Sequence, residues 1–297
     1  MSGTRKRFPA RSGWRLVSLF AILVSTVACL EHTVLLKLRP DGSGELIETS
    51  LVKGQMLEMA RAMTAMEGEG EGGGLMASQA DEKRAEAEAR AARLGEGVTF
   101  VSWEPISEEG KEGEHIVYRF DDVTKLNLQP GPDSGDGGEA PMTGPGESIR
   151  FRLADLGAGR SRLVAVFGEE SAPDELETAS AEGAEGTDDM AGMEDMAEAM
   201  GAGMMEMMKP FLQGMKMRVV VEVEGQVLET DAPFSEGSQV TLLEIDFDQI
   251  VADPEAWNKL TALDSDASLA VLGPQLQGLP GVRAPVGREV SIEFRPR

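Results

Sequence analysis

The stretch "TVLLKLRPDGSGELIETSLV" at residues 33–52 sets the first constraint on the fold. Val34, Leu36 and Leu38 recur at every second position. That is the period at which strand side chains share one face. Pro40–Gly44 then supplies turn residues, and "ELIETSLV" resumes the alternation, so the segment predicts a β-hairpin. Two further segments repeat the arrangement. "GVTFVSWEPISEEGKEGEHIVYRFDD" holds two β-branched and aromatic runs around a turn containing Gly110 and Gly113, with Trp103 and Tyr118 expected in its core. "SIRFRLADL" and "SRLVAVF" flank Gly157 and Gly159, and Ile149, Phe151 and Leu153 alternate with Arg150 and Arg152.

Helical patterns interrupt these strands. Lys53 to Met66 carries Met56, Met59, Met63 and Met66 at helical intervals. Ala80 to Leu94 is rich in Ala, Glu, Arg and Lys, with Gly95 placed to stop it. "MRVVVEVEGQVLETDAPFSEGSQVTLLEIDF" predicts up to three strands, with turns at Gly225 and Gly237. "DPEAWNKLTAL" predicts a short helix capped by Asp253 with Pro254 at its first position, and "REVSIEF" a last strand. The fold class expected is α+β: a largely antiparallel β-sheet built from hairpins, with several amphipathic Met- and Ala-rich helices. Disordered Gly-rich and acidic linkers are expected at about 67–75, 129–146 and 168–189.

The amino terminus reads as an address. Residues 1–15 carry five basic groups and no acid, and Leu16–Leu30 follows with no charge at all. The pattern is that of a secretory signal, and the apolar run is shorter than the roughly 20 residues a membrane-spanning helix needs. Val27, Ala28 and Cys29 resemble a bacterial lipobox, although Thr26 stands where an aliphatic residue is usual. Cys29 is the single cysteine of the chain. Lipidation removes the liability of an unpaired thiol in an oxidising compartment; an ordinary signal cut near Ala28, with Cys29 an incidental thiol, is the alternative. The organisation expected is a signal peptide at 1–28 and one domain at 29–297, lipid-anchored and palmitoylated at Cys29. The bilayer is then the partner reached through Cys29. In a diderm host, Leu30 and Glu31 supply no inner-membrane retention signal, which points to the periplasmic face of the outer membrane.

The net charge of −24 repels nucleic acid and anionic headgroups. Nucleic acid is therefore excluded as a partner. The acids are unevenly spread: Gly168 to Asp189 holds nine and no base.

Reactive patterns are scarce. No HExxH, CxxC, Walker or GxSxG motif is present, and the two histidines, His32 and His115, fall in separate strand-like segments. His32, close to Cys29, is expected at the membrane interface, and His115, opening a strand, is expected exposed. Asp41 beside glycines, and the oxygens of Asp264–Ser268, lack the ligand spacing of a calcium loop.

Methionine is the remaining lead, since nine of the seventeen lie between Met193 and Met217. Thioether sulfur suits Cu(I), and Met200, Met204, Met207 and Met208 are the candidate ligands on a helix. The spacing favours a blander reading. Met193, Met196, Met200, Met204, Met207, Phe211 and Met215 follow intervals of 3, 4, 4, 3, 4 and 4, a continuous amphipathic stripe in which Phe serves as well as Met. Together with Met56, Met59 and Met63 they form the candidate apolar face. Gly201, Gly203 and Pro210 weaken and kink that helix, which leaves an adaptable surface that repacks around apolar guests.

A lipobox-like cysteine followed by "LLKLRPDGSGELIETSLV", with "MRVVVEVEGQVLETDAPFSEGSQVTLLEIDF" further on, resembles the LppM-like bacterial lipoproteins. "GVTFVSWEPI…VYRFDDVTKLNL" is similar to stretches of uncharacterised lipoproteins of diderm bacteria. The resemblance implies an envelope-anchored, β-rich domain and carries no catalytic residues. The function expected is a non-enzymatic, membrane-proximal module that binds an apolar ligand or an envelope protein, without a cofactor. A periplasmic Cu(I)-binding protein is the first alternative and an envelope enzyme the second.

Overall fold

The computed structural model of the chain describes residues 29–54, 57–58, 61–62, 80–108, 110–129, 148–168, 209, 212–263 and 269–296. The first hairpin pairs β1 (Cys29–Leu38) with β2 (Gly44–Lys53). Its turn is held by Asp41, whose carboxylate accepts from the Ser43 N–H at 3.0 Å and from its hydroxyl at 2.7 Å. Gly42 supplies the positive φ of +88° that the turn requires. Val34, Leu36, Leu38 and Leu46 are essentially inaccessible to solvent, as one buried face of an alternating strand demands.

Helix α1 (Ala80–Leu94) spans the range expected of it. It leads into the hairpin of β3 (Val98–Glu108) and β4 (Lys111–Phe120), which buries Trp103 and Tyr118. Gly95 ends α1 at φ +142°, and a Cβ there would fall 2.1 Å from the Lys125 carbonyl. Close backbone approach therefore demands glycine at that position. A single 3-10 turn at Val123–Lys125 precedes β5 (Asn127–Leu128), and the third hairpin joins β6 (Ile149–Gly157) to β7 (Arg160–Phe167).

The later half contains β8 (Lys216–Val223), β9 (Gly225–Thr230), β10 (Phe234–Glu236) and β11 (Gln239–Asp246). Helices α2 (Phe247–Ala252), α3 (Pro254–Thr261) and α4 (Leu269–Leu276) follow, then β12 (Val282–Arg283) and β13 (Glu289–Pro296). Asp253 caps α3 by accepting from the Glu255 and Ala256 N–H groups.

The strands form two sheets. The larger runs β10-β11-β8-β1-β2-β4-β3, with β12 beside β11, and the smaller runs β5-β6-β7-β13-β9. Every pairing among the described strands is antiparallel except β1 with β8. The largely antiparallel expectation therefore holds, with a parallel seam at the centre of the larger sheet. Buried residues of both sheets belong to one cluster, including Val34, Tyr118 and Val219 from the larger and Leu163, Ile292 and Phe294 from the smaller.

The structure corrects several expectations. Lys53 closes β2 and does not open a helix; beyond it only residues 57–58 and 61–62 are described as helical. Gly225 does not turn the chain but begins β9, and the segment around it holds four strands where up to three were expected. The chain there leaves the larger sheet for the smaller, because the Glu224 N–H still bonds the Leu38 carbonyl while Gly225 already pairs with Pro296. Gly113 lies inside β4, where a Cβ would stand 1.9 Å from the Ser50 carbonyl oxygen. The expected linkers at 67–75, most of 129–146 and nearly all of 168–189 lie outside the described residues.

Gly113 carries a prediction. Gly113→Ala forces two backbones apart, an overpacking cost of about 2–3 kcal/mol. Gly110→Ala meets no atom within 4 Å and bears only the strain of positive φ, about 1 kcal/mol. Urea denaturation of both variants checks the ranking; equal costs would mean that Gly113 is not packed against β2.

Candidate functional site

One face of the larger sheet is covered by α1, and the cross-strand register stacks polar groups there in rows. His32 lies opposite Ser50, which lies opposite Glu114; Val34 lies opposite Glu48, which lies opposite Ile116. Glu48 thus shares the inward phase of Leu46, in the middle of β2. From above, α1 presents Lys83, Glu86, Ala87 and Arg90, spaced to occupy one helix face. The small residues Ala87 and Ala91 are buried and bring the helix close to the strands.

A cleft of about 190 Å³ remains between helix and sheet, lined by Leu30, Val52, Ala87, Ile116 and Tyr118 together with His32, Glu48, Ser50, Lys83, Glu86, Arg90 and Glu114. Its charges are largely engaged with one another. Arg90 Nη2 donates to Glu48 Oε1 at 3.0 Å, and both side chains are close to fully buried. Lys83 Nζ donates to Glu86 at 2.8 Å nearer the mouth. The Trp103 indole N–H donates to Glu114 at 2.8 Å. Beside the cleft, Arg61 donates to the buried Glu112 at 2.5 Å.

His32 is the distinctive group. It is 4% exposed, and its Nδ1 contacts Ser50 Oγ at 2.9 Å. Its Nε2 is buried and has no hydrogen-bond partner among the described residues. Burial, reinforced by the positive charge of Arg90, pushes its pKa down from 6.5 to about 4. The ring is therefore neutral near pH 7. Ser50 and His32 have the contact of a nucleophile and its base, but a base with a pKa near 4 is poorly matched to neutral pH, and no carboxylate among the described residues orients the far nitrogen.

The expectations for the histidines are corrected. His32 is buried where an interfacial position was expected, because its register places it on the inward face with Val34 and Leu36. His115 is half-buried and contacts Thr49 Oγ1 at 3.1 Å on the opposite face, where exposure was expected.

Of the expected site residues, Met56, Met59, Met63, Met193, Met196, Met200, Met204, Met207, Met208 and Phe211 lie outside the described residues, as does the side chain of Cys29. Met215 is described and departs from the helical stripe. Leu212 is the last residue there in helical conformation, Gly214 turns at φ +79°, and Met215 follows as irregular backbone whose carbonyl accepts from the Phe247 N–H. Among the described residues no three His, Cys, Asp or Glu side chains are grouped to hold a metal ion. No described helix is long and apolar enough to cross a membrane.

Sequence reasoning missed the cleft, although a signal was present. His32, Glu48 and Ser50 sit in the same alternation phase as Val34, Leu36 and Leu46, and Arg90 interrupts the alanine face of α1. Polar groups in the apolar phase of two adjoining elements mark a polar inclusion in a core. Architecture and cleft together define an α+β protein with a helix-covered sheet and a partly polar interior cleft. No family model, curated protein or solved structure matches the chain.

Proposed function

We propose that the chain is a non-enzymatic lipoprotein of a bacterial cell envelope that binds an apolar ligand beside the membrane that anchors it. The observation that carries this reading is the position of the cleft. Two residues that line it, Leu30 and His32, stand one and three places beyond Cys29, and β1 begins at Cys29 itself. With acyl chains on Cys29, no tether separates bilayer from cleft, so a guest leaving the membrane has a short path. The lipobox-like Val27–Cys29 and the LppM-like strand-and-turn blocks support the address. Mutual engagement of Glu48 with Arg90 and of Lys83 with Glu86 favours binding over acid–base catalysis. Envelope proteins remain alternative occupants of the same module, and the outer membrane's periplasmic face is its proposed location in a diderm host.

Cys29→Ala tests the reading. The variant is expected to move from the membrane pellet to the soluble fraction, and multiple acyl chains make the difference large because one chain alone binds only marginally. An unchanged distribution would rule out anchoring through Cys29.

A further inference from the structure

Resting on the reading of the cleft as a binding site, we infer that its guest is a small uncharged molecule whose hydroxyl group hydrogen-bonds His32 Nε2. Size limits the guest. A cavity of about 150 Å³ holds benzene, so the cleft of about 190 Å³ suits a body of about one ring.

Charge limits it further. Glu48 and Glu86 are matched by Arg90 and Lys83, so Glu114 tips the lining against an anion, while a cation at the His32 end faces Arg90, whose charge already disfavours protonation of His32. The apolar walls of Leu30, Val52 and Ile116 favour a neutral body.

The imidazole selects a hydroxyl. A neutral ring carries one proton, and the Ser50 contact accommodates it on either nitrogen. When Nδ1–H donates to Ser50, Nε2 is an acceptor; when Nδ1 accepts from the Ser50 hydroxyl, Nε2–H is a donor. A hydroxyl both donates and accepts, so it complements either tautomer, whereas a ketone or ether complements only one. A buried polar atom without a partner lowers stability; Nε2 is closed to a water-sized group in this structure, so a guest hydroxyl reaches it by displacing the walls around His32 and supplies the bond it lacks.

The test uses the full chain with histidine labelled by nitrogen-15, titrated separately with p-cresol, toluene, p-toluate and 4-methylbenzylamine. The four share a ring and differ in hydroxyl and charge. p-Cresol is expected to bind about fivefold more tightly than toluene, as one net hydrogen bond of about 1 kcal/mol provides, and to shift the His32 Nε2 resonance. His32→Phe is expected to bind p-cresol and toluene alike. Should that variant not fold, the wild-type resonance shift and the p-cresol-to-toluene ratio decide alone. Equal binding of p-cresol and toluene, tighter binding of either charged analogue, or an unmoved His32 resonance would overturn the hydroxyl inference while leaving an apolar-binding cleft in place. Absence of binding by all four probes would overturn both.

Discussion

Arg90→Ala is expected to lower the free energy of unfolding by about 3–5 kcal/mol, the usual cost of removing one partner of a buried ion pair. Arg90 projects from the buried face of α1, and Glu48 lies in the middle of β2, 4% exposed. Truncation leaves a carboxylate under the helix with its principal cation gone. Glu48 then remains charged at a desolvation cost or takes up a proton at the expense of the fold. The double variant Arg90→Met with Glu48→Leu removes the charge along with the partner. It is expected to recover most of the loss, because well-packed apolar replacements of buried pairs are often neutral or stabilising. Urea denaturation of wild type, single and double variants closes the cycle. A loss below about 1 kcal/mol for Arg90→Ala, the value typical of exposed pairs, would show that the pair is solvated and α1 loosely seated.

Acid is expected to weaken the fold through His32 at a pH where most carboxylates are still ionised. The folded pKa of about 4 lies below the ordinary 6.5, so between these values the unfolded chain binds the extra proton and the folded chain does not. The contribution of neutral His32 is intact above pH 6.5 and is lost as the pH falls towards 4. A tenfold change in proton affinity is worth about 1.4 kcal/mol, so the loss across that window is about 3 kcal/mol. Other groups titrate too, notably Glu31 and Asp122, whose carboxyls are held below their usual range by hydrogen bonds, from Lys53 and from Thr124 respectively. They are common to wild type and a His32→Gln variant. The stability gap between the two is therefore expected to be constant above pH 6.5 and to move by about 3 kcal/mol in the variant's favour by pH 4. Parallel curves across that window would mean that His32 is solvated when folded.

Much of the local architecture was legible because its causes are local. The β1–β2, β3–β4 and β6–β7 hairpins follow from alternation around turn residues, as Val34–Leu36–Leu38 and Asp41–Gly42 illustrate. Helix α1 follows from an uninterrupted run of helix formers ended by Gly95, and α3 from Asp253 and Pro254. What escaped depends on partners distant in sequence. Gly113 and Gly225 read as turns until Ser50 and Arg295 are seen against them. The cleft was illegible for a related reason. Glu48 and Arg90 are each anomalous within their own elements, and only tertiary contact reveals that each anomaly answers the other. Methionine spacing, the loudest signal in the sequence, bears on residues that mostly fall outside the described structure, and its one described terminal member, Met215, lies past the helix end.

The parallel seam between β1 and β8 has a consequence for the order of assembly. β1 is the first of the described strands and sits at the centre of its sheet, yet one of its two neighbours begins only at Lys216, opposite Glu31. Until that segment is available, the meander of β1, β2, β4 and β3 presents β1 as an open edge, with unpaired backbone groups able to recruit another chain. Closing the seam demands a long loop in the chain, which slows folding and prolongs the vulnerable period. Of the described strands, the one made earliest is thus among the last to be completed.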